Sequence, residues 1–229
     1  MVSRDIFFVI PTAPDGACLF SSIRIAMEIN YAVKKIKLND PPKSLIIDGY
    51  NHKMLEAGQR ARFKIVEWFR KHLDKPIPQL GNFVEGKYAR PWTRGDLLAT
   101  EMVCKGRDIE ESGPERKKAM AEYLLEMSNK RTWGSTPEYT AAACMTGKTF
   151  RIWQKHVEPE GKTTIIMISE IKGSTNDTKE NNDCGDNEYN LLFSGNHYQP
   201  LLTADQMNIL KSTFTENRIL KIVKPLIFN

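Results

Sequence analysis

The sequence predicts an α+β domain, a small mixed β-sheet flanked by helices. Two patterns predict it. Apolar residues recur at helical spacing through most of the first 147 positions, and β-type runs gather after them. The 229-residue chain is also 41% hydrophobic and 27% charged, which suits one well-formed core and argues against wholesale disorder. Residues 1–203 are expected to form one domain, and 204–229 a C-terminal extension of a helix and a basic, apolar tail.

The elements follow in order. Residues 3–10 read as a short strand, closed by Pro11 and Pro14. Asp15-Gly16 is a turn signal, and a helix is expected from Ala17–Cys18. Phe20, Ile23, Met27 and Tyr31 form its stripe, widened by Leu19, Ala26 and Val33, so this helix should be buried near the centre. A second helix is expected from Met54 to Leu73, with Ala61, Ile65, Phe69 and His72 on one face and Arg60, Lys64, Glu67 and Lys71 on the other. Pro76 to Trp92 reads as a long loop, Leu97 to Val103 as a short helix, and Gly106 to Pro114 as a loop. Pro114 suits the first turn of the next helix, whose apolar face is Met120, Tyr123, Leu124 and Met127. Ser135 or Thr136 caps another helix, with Pro137 and Glu138 in its first turn and Gly147 at its end. Strands are expected at Thr149–Trp153, Thr163–Ile171, Tyr189–Phe193 and Tyr198–Leu202. Gly173 to Asn187 is a polar surface loop, and Asp205 to Phe214 a last helix.

Composition narrows the function classes. The net charge of +5 is scattered, and its densest run, Arg116-Lys117-Lys118, suits a solvated helix face. A nucleic-acid partner is therefore not expected, because such partners need clustered charge. The apolar run from Ile6 to Ile10 stops at Pro11, short of the roughly 7–15 residues of a secretory core. No stretch approaches the roughly 18 residues of a membrane span. The expectation is a cytoplasmic protein (host cytoplasm for a viral chain) with no membrane partner. Cys18, Cys104, Cys144 and Cys184 are widely spaced and include no C-x-x-C pair, so neither a structural zinc site nor a disulfide framework is expected. Cys104 and Cys144 fall in helical patterns and read as buried fillers; Cys184 reads as an exposed thiol.

Asp15-Gly16-Ala17-Cys18-Leu19-Phe20 carries the chemistry. A thiol attacks as its thiolate, and the first turn of a helix lowers a thiol pKa. The turn at Gly16 also aims backbone N–H groups near Ala17 and Cys18 at a developing oxyanion. Taken alone, the same residues equally fit a small core cysteine that opens a buried helix. A base is needed, and of the four histidines His197 stands at a loop-to-strand junction, Ser194-Gly195-Asn196-His197-Tyr198.

Asp15 to Phe20 resembles the nucleophile motif of ovarian-tumour (OTU) cysteine peptidases. Trp133-Gly134-Ser135-Thr136-Pro137-Glu138 resembles that family's W-G-x-x-x-E element, Phe150-Arg151-Ile152-Trp153 its next strand, and Asn196-His197-Tyr198 its histidine motif. The order matches, over roughly residues 5–203. The pairing of Trp133–Thr136 with Asn190–Gly195 is similar to OTU domains of viruses such as nairoviruses.

The resemblance implies a papain-type fold and a deubiquitinase. Cys18 would be the nucleophile and His197 the base, with an oxyanion hole around Asp15, Gly16, Ala17 and Cys18. Tyr198, Asn196 and Trp133 would lie on the substrate side, although Tyr198 and Trp133 also read as core residues. The implied substrate is the C-terminal glycine of ubiquitin, ubiquitin chains or ubiquitin-like modifiers. The implied enzyme is monomeric and uses no metal or other cofactor. The family usually carries Asp or Asn two residues after the histidine; this chain has Gln199. Three readings stay open: Gln199 orients the imidazole, a carboxylate from Asp5 or Asp15 replaces it, or the site is a dyad. Gln199 is the favoured orienter, with Asp15 holding the loop. Two other functions share these residues: a viral polyprotein-processing peptidase, and a catalytically weak ubiquitin-binding module.

Overall fold

Cys18–Lys37 is apolar on most of its sides and forms the 20-residue helix, α1, around which the remaining elements are arranged. The computed structural model describes residues 7–77, 82–85, 88–107, 113–161, 163–173, 188–214 and 222–226, with backbone only for 82–91. β1 (Phe7–Val9) precedes α1, and α2 (His52–His72) follows it. A hairpin, β2 (Asn82–Glu85) and β3 (Tyr88–Pro91), replaces the loop expected over Pro76–Trp92. Its four-residue strands are too short to show a period in the sequence. Helices α3 (Arg94–Cys104), α4 (Pro114–Met127) and α5 (Thr136–Thr146) come next. α3 begins earlier than the apolar pattern predicts because Thr93 and Asp96 form a capping box there. Asp96, in turn, is paired with Arg116 of α4.

The last part of the chain is the sheet. β4 (Thr149–Val157), β5 (Thr163–Ile171), β6 (Glu188–Phe193) and β7 (Tyr198–Thr203) are followed by α6 (Ala204–Thr213) and the short β8 (Lys224–Pro225). The strand order is β5-β4-β6-β7-β1-β8; β4 and β6 run parallel and the other pairs antiparallel. This is the α+β class with one mixed sheet flanked by helices that the patterning predicts. The loop expected at Gly173–Asn187 lies mostly outside the described residues, as do Cys184, Asp5 and the start of the predicted first strand. No helix among the described residues is long and apolar enough to cross a membrane.

The main core packs one side of α1 and the buried faces of α2, α4 and α5 against Phe150, Ile152, Leu191 and Tyr198 of the sheet. A second cluster joins Ile25, Ile29 and Val33 of α1 to Leu202, Met207, Leu210 and Val223. The segment after residue 203 therefore packs on α1, and β8 pairs with β1. The two cysteines predicted as fillers divide: Cys144 is buried, whereas Cys104, the last residue of α3, is exposed. Periodicity places both on helices but says nothing about which helix ends protrude.

Glu138 shows why the W-G-x-x-x-E element is shaped as it is. Its carboxylate is fully buried, accepting the Ser135 N–H at 2.8 Å and the Tyr123 hydroxyl at 2.9 Å. It closes a capping box that starts α5 and ties the start of α5 to α4. Burial, helped by nearby Glu101, pushes its pKa up to about 7.

Two stability measurements follow. Leu210→Ala should lower stability by roughly 2–5 kcal/mol in one cooperative urea transition; a separate transition for 204–214 would show that this segment folds apart. Glu138 has a folded pKa above its unfolded one, so the folded state binds more protons between about pH 4.5 and 7. Stability from this group is present below that window and lost through it. Glu138→Gln should therefore gain in thermal midpoint relative to wild type as pH rises from 4.5 to 7; a difference that does not vary with pH would contradict this.

Candidate active site

The loop before α1 is held by its own backbone chemistry. Asp15 is exposed, and its Oδ1 accepts the Ala17 N–H at 3.0 Å, an Asx turn. Gly16 sits at φ +77°, and a Cβ there would lie 2.3 Å from the Arg131 carbonyl oxygen, so only glycine fits. Ala17 is the N-cap of α1 and supplies no side-chain cap. The first N–H groups of α1 are thus left for another acceptor. The Leu19 and Cys18 amides, and the Tyr198 amide from β7, act on the Cys18 thiol to lower its pKa.

Cys18 is completely buried. Burial pushes its thiol pKa up, with Asp15 adding to the rise, while the Tyr198 and Leu19 amides pull it down. The sequence expectation was a thiol lowered by its helix terminus. The amides act in that direction, but desolvation of the thiolate outweighs them.

His197 enters from a tight β6–β7 hairpin. Ser194 N–H donates to the His197 carbonyl at 2.9 Å, and Phe193 pairs with Tyr198. Two hydroxyls then fasten the next residue to the helix. Thr12 Oγ1 donates to the Tyr198 carbonyl at 2.7 Å, and Ser22 Oγ donates to the same oxygen at 2.9 Å. Ser22 lies one turn beyond Cys18, so these bonds set the His197 end of β7 against the start of α1.

Thr12 also lies 3.3 Å from His197 Nε2. Its proton is committed to a carbonyl, which only accepts. Thr12 oxygen must then accept from Nε2–H, and the neutral imidazole carries its lone pair on Nδ1. His197 Nδ1 is buried and has no hydrogen-bond partner among the described residues. Burial lowers the His197 pKa, partly countered by Thr12 and Asp15. Burial thus shifts Cys18 and His197 alike toward their neutral forms.

The other expected site residues are distributed as follows. The imidazole's partner is Thr12, which the sequence reading did not weigh. Gln199 is half-buried on β7, and no hydrogen bond joins it to His197 among the described residues. Asp15 holds the loop through Ala17 N–H, which removes that N–H from the expected oxyanion hole and leaves those of Gly16 and Cys18. Tyr198 is 7% exposed and its ring packs on Phe193 at 4.8 Å, in the same core cluster as Cys18, while its backbone amide lowers the thiol pKa. Asn196 is exposed in the hairpin loop. Trp133 is 42% exposed, on the loop whose Arg131 carbonyl touches Gly16.

Thr12 left one trace in the sequence. It lies between two prolines and forms a bridge with Gly49. A Cβ at Gly49 would come within 2.4 Å of the Pro11 oxygen and 2.7 Å of Thr12 Cα. Glycine at 49 is what lets that segment approach Thr12, but the pairing is invisible without the fold.

No protein-family model and no curated protein matches the chain. Among solved structures it is similar to the viral OTU domain protease from Farallon virus, with 13% identity, 87% of this chain and 86% of that one covered, and a TM-score of 0.45. An OTU deubiquitinase from Wolbachia pipientis wMel has 12% identity, coverage of 91% and 96%, and a TM-score of 0.43. The Hazara virus OTU bound to ubiquitin has 16% identity, coverage of 86% and 82%, and a TM-score of 0.42. These structural neighbours are OTU domains. At such identities and scores the similarity carries nothing about the chemistry of this site.

The raised thiol pKa makes a direct prediction. The rate of Cys18 alkylation by iodoacetamide should keep rising with pH and reach its plateau only above the ordinary thiol range. A rate that is already at its plateau near pH 6 would instead reveal a preformed thiolate–imidazolium pair.

Proposed function

We propose that this protein is a cysteine-type deubiquitinase that hydrolyses the peptide or isopeptide bond after the C-terminal glycine of ubiquitin or a ubiquitin-like modifier. The observation that carries the catalytic half is the tautomer of His197: Nε2–H is spent on Thr12, and a buried Nδ1 lone pair is left without a partner beside the helix that starts at Cys18. The ubiquitin half is supported by the three motifs at Cys18, Trp133–Glu138 and His197, in that order along the chain.

In this reading Nδ1 removes the Cys18 proton as the thiolate attacks the glycine carbonyl. The charge then forms as a pair, which a buried site tolerates better than a lone thiolate. The Cys18 amide and the Gly16 region face the oxyanion. His197 returns the proton to the leaving amine, and water attacks the thioester to release ubiquitin. Thr12 is a positioning residue: it holds the ring and its tautomer. Residues 194–196 are exposed, with open space around Gly195, so a chain end would not be blocked there.

A weak ubiquitin-binding module is favoured by two observations, the complete burial of Cys18 and the Asp15 carboxylate seated on the Ala17 N–H.

Ubiquitin carrying a thiol-reactive electrophile at its C-terminus separates the readings by intact mass. Wild type should gain one ubiquitin and Cys18→Ala none. His197→Ala should slow turnover of a ubiquitin substrate by roughly 100–10,000-fold. Thr12→Val should slow it about tenfold, the worth of one hydrogen bond of about 1.4 kcal/mol, with Thr12→Ser near wild type. Gln199→Ala should change little; a loss larger than that of Thr12→Val would return the orienting role to Gln199. Binding of ubiquitin without an adduct would establish the module instead.

A further inference from the structure

The second helix hides a cation that its amphipathic pattern does not announce. Arg62 lies in the buried stripe of α2 with Gly58, Ile65, Val66 and Phe69. It is 2% exposed. Its guanidinium lies over the Phe20 ring, 4.3 Å from the centroid. Nη2 donates to the Gly16 carbonyl at 2.9 Å and to the Lys130 carbonyl at 3.3 Å; Nη1 donates to the Met127 carbonyl at 3.2 Å. Met127 ends α4, so the cation also sits at the negative end of that helix.

We propose that Arg62 is a positioning residue of the nucleophile: it fixes the Gly16–Ala17 peptide in front of Cys18 and keeps a permanent positive charge near the thiol. This rests on Cys18 being the nucleophile of the reading above.

The first part follows from peptide geometry. A trans peptide is planar, with its C=O and N–H pointing opposite ways. A guanidinium that holds the Gly16 carbonyl therefore aims the Ala17 N–H away from α2, toward the Asp15 side. Through Met127 and Lys130 the same group fastens that peptide to the end of α4. Gly16 is at positive φ and close against Arg131, and because glycine has the widest choice of backbone conformations its carbonyl gains most from a fixed partner.

The second part follows from charge. Arginine stays protonated in proteins. Burial lowers the pKa of this guanidinium, and Glu138, Asp15, Cys18 and Tyr123, all of which carry or can carry negative charge, oppose that shift. A cation buried beside a thiol favours the thiolate and opposes the desolvation that raises it. A purely structural role explains Arg62 poorly. Its Nε–H has no acceptor among the described residues, and a buried cation with an orphaned donor is costly. Methionine would cover Phe20 without that cost.

The test uses the whole chain as Arg62→Met and Arg62→Lys, with thermal unfolding to confirm folding. Two rates are read against pH: Cys18 alkylation by iodoacetamide, and adduct formation with the ubiquitin electrophile. Arg62→Met should move the alkylation profile up by about one pH unit and slow the adduct at least about tenfold. Arg62→Lys keeps the charge but not the fork. It should keep the wild-type alkylation profile and form the adduct at least about threefold more slowly, because a single ammonium bridges the two loops poorly. A folded Arg62→Met with both wild-type profiles overturns the proposal. If Arg62→Met does not fold, Arg62→Lys decides, and a wild-type adduct rate in that variant overturns it. A wild type that ubiquitin does not label, with the alkylation shift still present in Arg62→Met, removes the deubiquitinase reading and leaves the role of Arg62 standing.

Discussion

The Tyr198 carbonyl oxygen is the point on which the site depends. Two buried hydroxyls donate to it, Thr12 from the segment after β1 and Ser22 from the second turn of α1. Three stretches far apart in the chain therefore meet at one acceptor. A carbonyl has two lone pairs, so both bonds are satisfied without competition. Because each hydroxyl has only one proton, the Thr12 oxygen is left as an acceptor, and His197 Nε2 is its donor. A core hydrogen bond thus decides which imidazole nitrogen is basic. The packing of α1 on β7 and the chemistry of the histidine are one arrangement.

Burial and reactivity pull against each other here. Cys18 and His197 are both shifted toward their neutral forms, the thiol up and the imidazole down, and desolvation leads in each case. The structure opposes this with donors rather than with an exposed ion pair. The start of α1 has no side-chain cap, and the Cys18 and Leu19 amides, joined by that of Tyr198, pull the thiol pKa down. In the proposed reaction, charge separation is deferred to the moment of attack, when proton transfer would create both charges together. The same placement guards the thiol from solvent.

Rigidity comes from where β7 sits. It lies between β6 and β1, inside the sheet, and its N-terminal residue begins a hairpin closed by a backbone bond from Ser194 to His197. The other flank of α1 is covered by α6, and β1 is covered by β8, so the segment after residue 203 supports the elements that hold the histidine. On the far side of α1, the loops around Gly16 and Lys130 close on each other through Arg62 and the capping box of Glu138.

By itself the sequence determined the class of fold, the helices and strands with clear periods, and the places of Cys18 and His197 at a helix start and a strand start. Local patterning suffices there, because spacing of apolar residues and turn chemistry act within a few positions. It could not show the β2–β3 hairpin, whose strands are shorter than a readable period, nor that Cys104 protrudes. Tertiary structure alone decided the rest. Thr12 became the partner of His197 because Gly49 lets its segment pack against it and the Tyr198 carbonyl takes its proton. Arg62 became buried because two loop carbonyls and a helix end converge on it. The thiol pKa rose rather than fell because desolvation depends on everything packed around Cys18, and a helix terminus is only one part of that surrounding.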